Sequence, residues 1–263
     1  MKFIHLSDTH LLGASSDKLY GIKPAKRLKK AFRNIAEHHP DAAFVVITGD
    51  LTNGGDPAAY RHLAKYAQIL PMPLLPVVGN HDDRAAFWET FPRFRSGKFV
   101  QYVYEEKERV FLALDTLVEG EEYGLLCDER LAWLEEQLAR YADRKISLLM
   151  HHHPIRSGLY RMDTVGDFRS AKAFWKMLKR HGSGVDHIFF GHVHRPMQAI
   201  HRGVLLSTTR STTFQVAYRP DEQTESLTTT VQPAYSVVKL DGEDTTIHLC
   251  EYLGEYGHTR AVS

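Results

Sequence analysis

The amino-acid sequence predicts an α/β fold in which helices cover a parallel or mixed sheet. Three observations carry this expectation. Short apolar runs of strand length, at 3–6, 44–48, 74–78, 146–150 and 187–190, alternate with stretches of helical period, as they do when a strand is followed by a helix that packs back onto the sheet. The chain has 263 residues, 43% apolar and 25% charged, which is enough for a substantial core in a single domain spanning 1–263. The same five runs each release Asp, Asn or His side chains at one end, and in open α/β sheets ligand sites form beyond the carboxyl ends of the strands.

Residues 3–6 form the first strand. Pro24 suits the first turn of a helix whose Leu28, Ala31, Phe32 and Ile35 recur at i, i+3, i+4 and i+7, with His38-His39-Pro40 closing it. After the strand at 44–48, Asp56-Pro57 combines a cap with a first-turn proline and opens a helix to about residue 70; 74–78 then returns as a strand. Residues 102–104 and 110–114 predict a hairpin, and Leu131, Leu134 and Leu138 mark a helix. The strand at 146–150 runs into three histidines, and a helix around 174–178 precedes the strand at 187–190. Beyond 204–207, the stretch 208–230 is rich in Thr and poor in apolar periodicity. Two readings stand for it. One is a surface insertion; the other is a strand with an apolar face in need of a cover, since Phe214, Val216 and Tyr218 alternate with Thr213, Gln215 and Ala217. Residues 235–240 and 246–252, joined through Asp241-Gly242, predict a closing hairpin.

Composition excludes several function classes. Thirty-three basic against 32 acidic residues give a formal charge of +1, so no global field draws the chain to nucleic acid or an anionic membrane. No apolar run approaches the ~18 residues of a membrane helix, and the N-terminal apolar stretch is too short for an export signal before it meets Asp8 and His10. Cys127 and Cys250 have no metal or disulfide spacing and read as structural thiols in a reduced interior. The expectation is a cytoplasmic protein with no membrane and no nucleic-acid partner. Lys26, Arg27, Lys29, Lys30 and Arg33 form a basic cluster; positions 26, 29, 30 and 33 lie opposite the apolar stripe of their helix, and the cluster reads as a solvated face rather than a nucleic-acid contact.

The polar groups at the strand ends are Asp8-Thr9-His10, Gly49-Asp50, Gly79-Asn80-His81-Asp82, Met150-His151-His152-His153-Pro154 and Gly191-His192-Val193-His194. Singly each is weak, because a lone histidine is usually a satisfied core or surface residue. Converging at one end of a sheet, they describe a metal site. Carboxylate and amide oxygens combined with imidazole nitrogens suit Mn, Fe, Zn or Co, and no thiolate is present to make a structural zinc knot. Asp8, His10, Asp50, Asn80, His151, His192 and His194 offer seven ligands, too many for one catalytic ion that keeps an open position. Two ions sharing a bridging carboxylate solve this, and ions roughly 3.5–4 Å apart clamp the attacking and leaving oxygens of a phosphoryl displacement.

In this order the motifs resemble the calcineurin-like metallophosphoesterase superfamily, over residues 8–194. Lys18-Leu19-Tyr20-Gly21 and the chain length are similar to its class III cyclic-nucleotide phosphodiesterase and glycerophosphodiesterase branch. The resemblance implies a four-layer α/β/β/α sandwich of two mixed sheets flanked by helices. It implies that Asp8, His10 and His194 hold one divalent or mixed-valence ion, that Asn80, His151 and His192 hold a second, and that Asp50 bridges them, with metal-bound hydroxide as nucleophile. His81 is implied to contact the phosphate, together with Asn80 and His194, and to protonate the leaving alkoxide. Asp82 is a supporting candidate that would orient His81. The first His after the Met is the ligand in the resemblance, which selects His151; His152 is then a buried supporting candidate and His153 faces the cavity.

This chain departs from the serine/threonine phosphatases of the superfamily, which carry an Arg after Gly-Asp and a Glu after Asn-His. Here the sequence reads Gly49-Asp50-Leu51-Thr52-Asn53, and the second motif ends in Asp82. A monoester dianion gains from a bidentate guanidinium, while a diester carries one negative charge and needs less cationic help, so diester hydrolysis is favoured. The expected substrate is a small phosphodiester, cyclic nucleotides such as 3',5'-cyclic AMP first and glycerophosphodiesters as the alternative. A nuclease of the superfamily would carry further DNA-binding segments, and a non-catalytic scaffold would lose ligands or the phosphate-contacting His, whereas here the full set stands. Similar enzymes place the region 208–263 and neighbouring loops at an oligomer contact, which implies a homo-oligomer. His5, alternating with Leu6, reads as structural. Arg156, Tyr160 and Arg161 follow His151 on a loop that starts at the site, and Tyr20, Phe214 and Tyr218 offer rings for a base; for these, substrate contact and solvated surface both stand.

Overall fold

The computed structural model describes residues 1–107, 109–182, 184–219, 227–229 and 231–254. One sheet has the order β13 (Asp244–Glu251), β12 (Ala234–Asp241), β1 (Lys2–Leu6), β2 (Val45–Thr48), β3 (Leu74–Val77). β1, β2 and β3 are parallel, while β12 runs antiparallel to β1 and pairs with β13 as a hairpin. The other sheet has the order β4 (Tyr102–Glu106), β5 (Arg109–Ala113), β6 (Lys145–Leu149), β7 (Val185–Phe189), β9 (Val204–Thr208), β8 (Met197–His201). Its four central strands are parallel and its two edges antiparallel.

Strand alternation builds the layers. In β1, Ile4 and Leu6 join Leu28, Phe32 and Ile35 of α1 (Pro24–His38), together with Leu63 of α2 (Pro57–Ala67), in one outer core. Phe3, on the other face, meets Phe44, Phe111 and Phe189 between the two sheets. Phe3 stacks on Phe44 with ring centroids 4.7 Å apart and stands edge-on to Phe189 at 5.1 Å. Beyond the second sheet, Leu134 and Leu138 of α4 (Asp128–Arg140) and Phe174 and Leu178 of α6 (Ala171–His181) cover Val110, Leu112, Ile146 and Leu148. The result is the α/β/β/α order of layers.

Every strand and helix expected from the sequence is present, with α2 ending at Ala67 rather than about residue 70. Elements that the sequence left as loop are α3 (Arg84–Thr90), a 3-10 turn at Pro92–Phe94, α5 (Tyr160–Thr164), the edge strand β8 and β11 (Thr228–Thr229), whose partner β10 (Gln215–Val216) falls within the strand reading of 213–218. Elements of two to seven residues are too brief to show a period; α3 is held by its cap, Asp83, which accepts from the backbone N of Ala86 at 2.7 Å. The basic face of α1 is partly engaged within the chain. Arg27 donates to the carbonyl of Thr213, Lys30 Nζ donates to Leu253 O at 2.9 Å, and Lys29 lies over the Tyr66 ring.

The surface-insertion reading of 208–230 is overturned for its first part: Thr209, Ser211, Thr212 and Thr213 are fully buried. Their hydroxyls make this possible. Ser211 Oγ and Thr213 Oγ1 both donate to the carbonyl of Asp8, at 2.8 and 3.2 Å. Of the alternating apolar residues, Val216 is buried, Phe214 is half-buried, and Tyr218 is exposed, as are Leu227 and Val231. Residues 220–226 and 230 of this segment, and 255–263 of the C-terminal one, lie outside the described residues. Among the described residues no helix is long and apolar enough to cross a membrane.

Candidate metal centre

Strand ends from both sheets meet at one place. β1 leads to Asp8 and His10, β2 to Asp50, β3 to Asn80 and His81, β6 to His151, and β7 to His192 and His194. Asp8, His10, Asp50, His192 and His194 all sit in the left-handed backbone region, with φ between 43° and 70°. L residues avoid that conformation, and it persists where the surroundings impose it, typically at functional sites. Glycines allow the loops to close: a Cβ on Gly49 would lie 2.2 Å from His151 Nδ1, and one on Gly79 would lie 2.3 Å from Asp50 Oδ1. The Gly of each motif is thus a matter of space around its neighbours' side chains.

Two groups of donor atoms result. In the first, His10 Nε2 lies 3.0 Å from His194 Nε2 and 3.5 Å from Asp50 Oδ2, and His194 Nε2 lies 3.5 Å from Asp8 Oδ1. In the second, Asn80 Oδ1 is 3.0 Å from both His151 Nε2 and His192 Nδ1, and His151 Nε2 is 3.3 Å from Asp50 Oδ1. Asp50 therefore turns one carboxylate oxygen to each group. The outward nitrogens of three rings are fixed by oxygen acceptors: His10 Nδ1 donates to Asn53 Oδ1 (3.1 Å), His151 Nδ1 to Thr48 O (2.7 Å) and His194 Nδ1 to Phe214 O (3.0 Å). In a neutral imidazole the inward Nε2 of each is then a bare lone pair.

Lone pairs thus face lone pairs and carboxylate oxygens in a buried space, an arrangement that a cation relieves. Asp8 Oδ2 is buried there with no hydrogen-bond partner among the described residues. Burial holds His10 and His192 well below the ordinary imidazole pKa, leaving them uncharged and ready to coordinate. Burial pulls His151 the same way, but the Asp50 carboxylate outweighs it and raises that ring to about 9. Burial opposes charge on Asp50 as well, yet His151, His81 and His10 hold its carboxylate well below the usual range. The cluster calls for positive charge, and its oxygen and imidazole donors suit borderline divalent ions.

The remaining candidates fall into place around this pair. His81 donates its backbone N–H to Asp50 Oδ1 at 2.9 Å, and its ring stands edge-on to His10 at 4.9 Å, on the open side. Asp82 does not orient that ring, as the sequence suggested. Its carboxylate accepts from the backbone N–H of Leu51, Thr52 and Gly79 and from the hydroxyls of Thr52 and Tyr60, and so ties the Asp50 loop to the Asn80 loop. Burial and the nearby Asp50 carboxylate push the Asp82 pKa up to about 6. His152 lies close to His151 and His192, but both its ring nitrogens are taken, by Thr116 Oγ1 at 2.7 Å and Glu122 O at 3.1 Å. His153 turns to Asp163, 3.3 Å away, and borders a separate cavity with Arg156 and Trp175.

A cleft of about 400 Å³ opens over the two groups. Asp50, Asn80, His10, His81, His192 and His194 form its floor; Tyr20, Phe214, Val216, Thr228, Glu122, Arg161 and Met162 form its walls. Phe214 lies over the His194 ring at 4.3 Å, and Tyr20, strained at φ 49°, meets it edge-on at 5.0 Å. Arg156 and Tyr218 are not part of this cleft; Arg195 lies over the Tyr218 ring. Sequence reasoning missed Asn53 and Glu122. Asn53 stands three positions after Asp50, a usable signal; Glu122 arrives from a loop that no pattern marks.

Residues 1–196 match the sequence model of the calcineurin-like phosphoesterases. The chain belongs to that family. As a calcineurin-like phosphoesterase it is 38% identical over 259 residues to a probable cyclic nucleotide phosphodiesterase of Rhodopseudomonas palustris, covering 96% of this chain and 93% of that one. It is 31% identical over 226 residues to a glycerophosphodiester phosphodiesterase of Enterobacter lignolyticus, covering 83% and 80%. Among solved structures, a dimetal phosphatase from Danio rerio superposes with a TM-score of 0.69 over 96% of each chain; at 14% identity this likeness concerns the fold.

Proposed function

We propose that this calcineurin-like phosphoesterase is a metal-dependent phosphodiesterase acting on cyclic nucleotides such as 3',5'-cyclic AMP. The observation that carries the reading is Asp50, whose two oxygens turn to two separate groups of imidazole and oxygen donors. In this reading Asp8, His10 and His194 hold one divalent ion, Asn80, His151 and His192 hold the other, and Asp50 bridges them. Such ions, whether Mn, Fe, Zn or Co, lower the pKa of water and neutralise charge on the phosphoryl oxygens.

The chain's own residues do the rest. His81, fixed through its backbone to Asp50, presents its ring on the open side of the cleft, where it donates a proton to the departing alkoxide. Asn80 and His194, on the cleft floor, border the phosphate with it. Asn53, Thr48 and Phe214 hold the rings of His10, His151 and His194 in the tautomer that faces inward. Tyr20 and Phe214 supply an aromatic wall on which a base stacks, and this favours a nucleotide over a glycerol headgroup. The 38% relative supports the same substrate class.

A kinetic panel of cyclic AMP, cyclic GMP, glycerophosphocholine and glycerophosphoethanolamine, with metal content measured on the same sample, tests the reading. The highest kcat/KM is expected on a cyclic nucleotide; a preference for a glycerophosphodiester would place the chain with the 31% relative instead. Part of the proposal is a homo-oligomer using the exposed Tyr218, Leu227 and Val231, for which a monomeric mass in light scattering would be contrary.

A further inference from the structure

The sequence lacks the arginine that follows Gly-Asp in monoester phosphatases, yet the cleft holds a guanidinium. It is Arg161 of α5, which lines the same cleft as Tyr20 and Phe214. Asp163, on the same helix, ties α5 to the loop before it. It accepts from the backbone N–H of Ser157 and Gly158 and from the Ser157 hydroxyl, at 2.7–2.9 Å, and lies 3.3 Å from His153 Nε2. Arg161 in turn is paired. Its Nη2 meets both oxygens of Glu122, at 2.5 and 2.7 Å, while Nε and Nη1 make no hydrogen bond among the described residues. Glu122 is anchored from behind, since its carbonyl lies 3.1 Å from Nε2 of the buried His152.

We propose that Glu122 and Arg161 form a charge filter that selects diesters over monoesters, a role that rests on the phosphodiesterase reading above. The guanidinium offers its two remaining nitrogens to a phosphoryl oxygen, and Glu122 cancels the charge that would otherwise favour a dianion. A monoester near neutral pH carries nearly one more negative charge than a diester, and that extra charge meets the Glu122 carboxylate across the cleft. The pair is half-exposed, so it contributes little to stability and its removal leaves the fold standing. Glu122 is thus a specificity residue, and the diester preference does not follow from the missing arginine alone.

The test compares p-nitrophenyl phosphate with bis(p-nitrophenyl) phosphate on the Mn-loaded protein, and measures binding of adenosine 5'-monophosphate by calorimetry. In Glu122→Gln the monoester-to-diester ratio of kcat/KM should rise about tenfold, through KM, and the nucleotide Kd should fall by a similar factor. Glu121→Gln removes the same net charge one position away, outside the cleft, and should leave the ratio where it was. In Glu122→Gln/Arg161→Ala the gain should vanish. An unchanged ratio and Kd in Glu122→Gln, an equal rise in Glu121→Gln, or a gain that survives loss of Arg161 would each overturn the proposal. If even the unaltered protein cleaves no diester, the phosphodiesterase reading fails, and the nucleotide Kd values still decide what the pair does.

Discussion

The two sheets contribute unlike chemistry to one centre. The sheet containing β1, β2 and β3 leads to every oxygen donor, Asp8, Asp50 and Asn80, and to one imidazole donor, His10; the sheet containing β6 and β7 leads only to imidazole donors, His151, His192 and His194. Each group of donors mixes the two: His194 crosses to Asp8 and His10, and Asn80 crosses to His151 and His192. Neither sheet alone assembles a complete set. The aromatic layer between the sheets therefore sets the geometry of the site as well as the stability of the fold, and Phe189, against Phe3, His5 and His187, is at its centre.

Breaking that layer should have the largest effect. Phe189→Ala should cost about 3–5 kcal/mol in urea unfolding and weaken metal binding at both groups together, because the sheets lose their register. Loss of stability with both metal affinities intact would show that the sheets are positioned independently of this layer. A substitution confined to one side should spare the fold. His81→Ala should lower kcat on cyclic AMP about 100- to 10,000-fold with the unfolding midpoint unchanged; an unchanged kcat would remove His81 from the proton transfer.

Smaller changes separate the two groups. Asn53→Ala frees the His10 ring and Thr116→Val leaves His152 Nδ1 without a partner, beside His151 and His192. Each should weaken one of two Mn binding steps about 10- to 100-fold in calorimetry, and not the same one. Equal effects on both steps would contradict the division into two groups. The last change is one of pH, and it bears on both sheets at once. Burial holds His5, on the first sheet, and His187, on the second, down to about 3 from the ordinary 6.5, so between those values the unfolded chain binds more protons than the folded one. Stability should fall as pH drops from about 6.5 towards 3, as the unfolded chain takes up protons that the buried rings refuse. A flat profile over that range would show that the interior takes up these protons.

Why the donors were legible in the sequence and the walls were not follows from locality. Asp8, Asp50, Asn80, His151, His192 and His194 stand within a few residues of an apolar run, so strand direction alone delivers them to one end. The pairing of β12 with β1, which completes the first sheet, joins opposite ends of the chain and leaves no local trace. The buried Ser211 and Thr213 look like surface in sequence because their partner is a backbone carbonyl, that of Asp8, which no side-chain pattern reports. Asp82 kept its place close to the site but changed its task, since five donors from the backbone and from Thr52 and Tyr60 surround it. Glu122 and Arg161 meet only through the fold, and so the charge in the cleft differs from what the motif after Asp50 suggested.

If Asp50 joins two ion sites into one diesterase centre, bound metal and turnover should depend on it together. The most direct measurement is a titration of metal-free protein with Mn, following cyclic AMP hydrolysis and bound metal together, for the natural chain and for Asp50→Asn. Turnover in the natural chain should reach its plateau at two ions per chain, and Asp50→Asn should lose both the second equivalent and the turnover. A plateau at one ion, or an Asp50→Asn protein that binds two and still turns over, would contradict that role for Asp50.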